Sequence, residues 1–125
     1  MSEETNNENN VMICRQTDKA VVASFKEKLI YDVSTVEAVA AKIRSLLEDK
    51  PGNMVINFAG VDFMVTRVIN ILLMALKQIR AAGGEVYLAG MNDNIRRVFD
   101  IMRLNVVFKI FDTEEQALAE LEKPS

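Results

Sequence analysis

Apolar positions change their spacing repeatedly along the chain, and each change marks a new element. Val11 to Thr17 and Ala20 to Phe25 are short β-rich runs separated by Asp18-Lys19, the pattern of a hairpin. Lys28 to Tyr31 adds a short strand or loop. From Ser34 the period lengthens: Val36, Val39, Ala40, Ile43, Leu46 and Leu47 recur at helical spacing, and Pro51-Gly52 stops the element. Ser34 and Glu37 stand at capping-box spacing, where each side chain satisfies the other's free backbone N–H. Asn53 to Phe58 is a short buried strand centred on Met54-Val55-Ile56. A second helix is predicted from Thr66 to Ala82, with Ile69, Leu72, Leu73, Leu76 and Ile79 as its buried face and Gly83-Gly84 as a left-handed stop. Glu85 to Ala89 follows as a strand closed by Gly90, and a helix over Asn92 to Met102 turns Ile95, Val98, Phe99 and Met102 inward. Val106 to Ile110 reads as another strand, and Thr113 with Gln116 opens a final helix that ends near Leu121.

The order is strands first, then helices alternating with strands. Alternation at this spacing predicts parallel pairs made by right-handed crossovers, and the opening hairpin makes the sheet mixed. The expected class is α/β, one domain, with a mixed sheet of about four or five strands and about four helices. A chain of 125 residues fits one such unit, placed over residues 11–122. Met1 to Asn10 is acidic and Asn-rich, the opposite of a secretory signal, and is expected to be a disordered tail. No apolar run is long enough to cross a bilayer, so a cytoplasmic protein without membrane contact is expected.

Composition narrows the chemistry. The net charge of -3 disfavours nucleic acid, and Asp93 and Asp100 dilute the only local basic group, Arg96, Arg97 and Arg103. The absence of histidine removes the usual general base and the commonest metal ligand. The single cysteine, Cys14, lies in a predicted strand and reads as a structural thiol. Gly83-Gly84 follows a helix and precedes a strand, the reverse of a phosphate loop. Glu114-Glu115 belong to a helix start, where acidic side chains suit the dipole. The predicted central strand ends in Asn57-Phe58, without the aspartate of a phospho-receiver. No residue set supports a catalytic mechanism, and no cofactor or metal is expected.

One stretch carries more. Val55-Ile56-Asn57-Phe58-Ala59-Gly60-Val61-Asp62-Phe63-Met64, running into Val65-Thr66-Arg67-Val68-Ile69-Asn70, resembles the centre of the STAS domain, the fold of bacterial anti-sigma factor antagonists. The similarity continues through Ile79 to Gly90, Arg96-Arg97-Val98-Phe99, Leu104 and Phe111 to Ala117. The resemblance implies a partner switch, in which the antagonist binds an anti-sigma factor or related serine/threonine kinase until a hydroxyl at the start of the second helix is phosphorylated. Carried over, Thr66 takes the phosphoacceptor position, and Met64, Val65, Thr66, Arg67, Val68 and Asn70 form the partner-binding segment. Val65 stands where the pattern has an acidic residue, and Arg67, Val68 and Asn70 where it has Ser, Gly and Gly. The residues alone also allow Thr66 to be a helix cap. An alternative reading is a scaffold or homo-oligomerising STAS-type domain with no phosphoswitch, held through exposed apolar groups near Val65 and Val68.

Overall fold

A computed structural model describes residues 11–123. The expected tail, residues 1–10, lies outside the described residues. The chain opens with strands β1 (Met12–Gln16) and β2 (Val21–Phe25), then β3 (Leu29–Ile30) and helix α1 (Val33–Glu48). There follow β4 (Met54–Asn57), β5 (Phe63–Met64), α2 (Thr66–Ala81), β6 (Val86–Ala89) and α3 (Asp93–Ile101). A 3-10 turn (Leu104–Val106) leads to β7 (Lys109–Phe111) and α4 (Glu114–Glu122). The main sheet has five strands in the order β1-β2-β4-β6-β7. β1 is antiparallel to β2 and the remaining pairs are parallel, which is the mixed α/β architecture expected.

Strand alternation sorts side chains to two faces. Val21, Ala23 and Phe25 of β2, Met54 and Ile56 of β4, and Val86 and Leu88 of β6 enter the larger core with α1, α2 and α3. The intervening Val22, Val55, Tyr87 and Ala89 meet α4 through Ala117, with Leu118 and Leu121 packed beside it. Beyond β4, Phe58 is fully buried and lies 5.1 Å from Phe25 and 6.3 Å from Phe99, ring centre to ring centre. Aromatic pairs of this kind add about 0.5–1.5 kcal/mol beyond burial. Phe58 therefore fixes the root of the segment that leads to α2.

Local chemistry sets the boundaries. Thr113 and Gln116 form the expected capping box of α4. Gly83 ends α2 at φ +93, with its N–H on Arg80 O and that of Gly84 on Ile79 O. Both bonds satisfy carbonyls that the helix end leaves free. At Gly90 a side chain would meet Asn57 Oδ1 at 2.6 Å, so the backbone there passes close to β4.

Four expectations are corrected. α1 begins at Val33, because Asp32 Oδ2 accepts from the Thr35 N–H at 3.1 Å and caps the helix two residues earlier than a Ser34–Glu37 box would. The last strand starts at Lys109 because residues from Leu104 tighten into the 3-10 turn, burying Leu104 and Phe108. Val98 and Met102 of α3 remain 42% exposed, since only Ile95 and Phe99 reach the core. The α2 cap is Val65, extended at φ -82 and ψ 157, and not Thr66.

Candidate functional site

The segment between β4 and α2 is held from both sides. Asn57 Oδ1 accepts from the Ala59 N–H at 2.9 Å, which tightens the turn leaving β4. β3 and β5 form a separate two-stranded parallel sheet, pairing Leu29 with Phe63 and Ile30 with Met64. Lys28 O accepts from Asp62 N at 2.8 Å, and Ile30 O accepts from Val65 N at 3.0 Å. Asn92, whose Oδ1 caps α3 by accepting from Ile95 N, also donates through Nδ2 to Val61 O at 3.0 Å. The start of α2 is thus delivered on a fixed track.

Thr66 is the first residue of α2 and is exposed. Its hydroxyl has no hydrogen-bond partner among the described residues, and no side chain caps this helix. The first turn of α2 contains no acidic residue. Free N–H groups and the helix dipole therefore present partial positive charge around an accessible hydroxyl. That setting tolerates an added phosphate. Arg67, the next residue, approaches Glu37 of α1 at 3.8 Å, with both side chains more than half exposed. An exposed pair at this distance is worth little, and it leaves the guanidinium available.

The expected partner-binding residues separate. Val65 and Met64 are half-buried, while Thr66, Arg67 and Asn70 are exposed. Val68 is 0% exposed and belongs to the core, so it offers nothing to a partner. It packs inward because it starts the apolar stripe that continues through Ile69 and Leu72. The scaffold reading loses one of the two apolar groups on which it stood.

A groove of about 360 Å³ opens beside Thr66, between the segment Asp62–Thr66 and α3. Phe63, Met64 and Val65 form one wall; Asn94, Ile95, Val98 and Phe99 form the other. The α3 wall was not legible as a site. Ile95, Val98, Phe99 and Met102 share one helical face, so the spacing does not separate the groove wall from the core.

Elsewhere, Glu114 joins three elements. It accepts from Asn57 Nδ2 at 2.9 Å and pairs with Arg15 of β1. The Arg15 hydrogen bond, aided by Asn57, holds its carboxyl below the usual carboxylate range. Cys14 is half-buried, and burial pushes its thiol up despite the lowering influence of Lys42, which favours the unreactive protonated form. Among the described residues, no group of three or more His, Cys, Asp or Glu side chains is placed to hold a metal ion. No described helix is long and apolar enough to cross a membrane.

Comparison with known proteins bears on this geometry. The STAS domain family matches residues 12–117. An anti-sigma F factor antagonist of Paenibacillus polymyxa is 30% identical over 70 residues, covering 56% of this chain and 60% of that protein. An anti-sigma factor antagonist (STAS) domain protein from Planctomyces limnophilus superposes with a TM-score of 0.83 at 18% identity, over 90% of this chain and 98% of its own. The Bacillus cell fate determinant SpoIIAA, solved in its phosphorylated form, gives a TM-score of 0.69 at 21% identity, over 89% of this chain and 99% of its own.

Proposed function

This chain belongs to the STAS domain family, and from that premise we propose that it is an anti-sigma factor antagonist-like regulator acting by protein–protein binding, with Thr66 as the switch. It binds an anti-sigma factor or related serine/threonine kinase through the surface around Met64, Val65, Thr66, Arg67 and Asn70. Phosphorylation of Thr66 ends that binding. No catalytic step and no cofactor are involved.

The observation that carries this reading is the exposed Thr66 hydroxyl, unbonded among the described residues, in an uncapped helix turn without acidic side chains. A phosphate would add about -1.5 to -2 charges there. The helix start accommodates that charge, whereas a partner packed against the same surface meets it as repulsion and buried charge. The similarity to an antagonist solved in a phosphorylated form supports the switch. So does the absence of any alternative use for the hydroxyl within the described residues. Missing glycines do not remove the surface: Val68 turns into the core, and Asn70 remains outside.

The test is calorimetric titration of candidate anti-sigma kinases with wild-type protein and with Thr66→Glu. The reading requires binding to the wild type and its loss in the variant, with an unchanged far-UV spectrum. Equal affinities for both proteins would overturn the switch.

A further inference from the structure

The main sheet has two unlike edges. β7 is short, Lys109–Phe111, and opens on Lys109, whose Nζ reaches Glu120 Oε2 at 3.0 Å. Short strands and lysines blunt an edge against pairing with another chain. β1 forms the other edge over Met12–Gln16, has no proline, and keeps a regular register with β2 throughout. Its charged side chain, Arg15, is drawn to Glu114 of α4. This edge is open.

The ladder fixes which backbone groups are free. The Lys26 N–H donates to Val11 O at 2.9 Å, and the Thr17 N–H donates to Ala20 O at 2.8 Å. Alternate residues of an antiparallel pair bond across it, so Val11, Ile13, Arg15 and Thr17 turn their N–H and C=O groups toward β2. Met12, Cys14 and Gln16 turn theirs outward, where no strand among the described residues receives them. Cys14 is half-buried against the larger core, while Ile13, on the other face, is 59% exposed.

We propose that β1 pairs antiparallel with β1 of a second copy of this chain, about a two-fold axis at Cys14, joining the two sheets into one. The strand is self-complementary in this register. Met12 meets Gln16 of the second copy, Cys14 meets its own equivalent, and every outward N–H finds a C=O. An axis at Arg15 would set two guanidinium groups opposite each other, and one at Ile13 would leave Gln16 beyond the second strand. With the axis at Cys14, Ile13 lies opposite Arg15 of the second copy, whose stem covers it while its head stays with Glu114. Like charges oppose the pairing: each copy carries a net -3, and Lys42 of α1 lies near enough to Cys14 to act on its thiol. Added salt should therefore strengthen the dimer. The interface uses none of Met64 to Asn70 and does not rest on the regulatory reading.

The experiment is a dilution series of the full chain, reducing agent present, read by amide NMR and solvent exchange. An edge pair this short is a small interface, so a Kd of about 0.1 mM is expected. Between ~20 µM and ~1 mM, exchange at Met12, Cys14 and Gln16 should then slow about fourfold, while Ile13 and Arg15 stay protected throughout. Gln16→Pro removes one outward N–H without touching the β2 ladder, and Ile13→Lys sets an ammonium opposite Arg15 of the second copy. Both positions are exposed, the same spectra report folding, and each variant should lose the concentration dependence. The proposal is overturned by a chain that stays monomeric at ~1 mM, or by concentration-dependent shifts centred away from β1. Dimerisation unchanged in both folded variants would also overturn it. So would protection of Met12, Cys14 and Gln16 that is independent of concentration and vanishes when residues 1–10 are deleted, which would put that segment on the edge instead.

Discussion

Two threonines open two helices in this domain, and they are used in opposite ways. Thr113 precedes α4, accepts from the Gln116 N–H at 3.2 Å, and completes a capping box with that side chain. Behind it, Glu114 and Glu115 match the dipole, and Glu114 is tied to Arg15 and Asn57. Thr66 is already inside α2, caps nothing, and has neither an acidic neighbour in its turn nor a hydrogen bond among the described residues. One hydroxyl is committed to structure and the other is left available. The difference arises from register: β5, pinned by β3, carries extended backbone as far as Val65, so the cap position falls one residue before the threonine.

That contrast can be broken experimentally. Thr66→Glu should cost roughly 3 kcal/mol of partner affinity, about two orders of magnitude, because like charge at a close interface costs several kcal/mol. Calorimetry checks it. The equivalent change at Thr113 should leave binding intact.

Stability reverses the ranking. Thr113→Ala should lower stability by about 1 kcal/mol, the typical worth of a lost cap, whereas Thr66→Ala should fall within about 0.5 kcal/mol of wild type. Urea melts of both variants measure this directly. Equal losses would mean that Thr66 has a structural partner after all.

Val65→Asp would place an acidic side chain at the α2 cap position. It should raise stability by about 0.5–1 kcal/mol, read as a higher urea midpoint with an unchanged slope.

The smallest effect concerns acid. The native carboxyl of Glu114 is held low by Arg15 first and by Asn57, so its contribution is present above the unfolded value of about 4.3 and is lost as pH falls through the native value. Glu114→Gln should cost about 0.5 kcal/mol at neutral pH, and the gap to wild type should close on acidification below pH ~4. Urea melts at a series of pH values would show it.

Much of the fold was legible because its elements rest on periodicity. The stripe Ile69, Leu72, Leu76 and Ile79, the alternation Met54-Val55-Ile56 and the Thr113–Gln116 spacing each map onto one local geometry. The candidate site was legible in position but not in orientation. A run such as Val65 to Asn70 does not reveal which residue is the cap, since that depends on the pairing of β5 with β3, strands distant in sequence. Val68 read as surface because the family pattern has a glycine there, yet its side chain completes the α2 core stripe. Val98 and Met102 read as core because spacing cannot show that α3 presents only Ile95 and Phe99 to the sheet. The α3 wall of the groove was lost by the same misreading.

The most direct test follows modification itself. Incubation with ATP and an anti-sigma serine/threonine kinase, followed by intact mass and peptide mapping, should show one phosphate on Thr66 and none in Thr66→Ala. The modified protein should no longer bind the kinase. Phosphate placed on another residue, or full binding by protein phosphorylated at Thr66, would contradict the account.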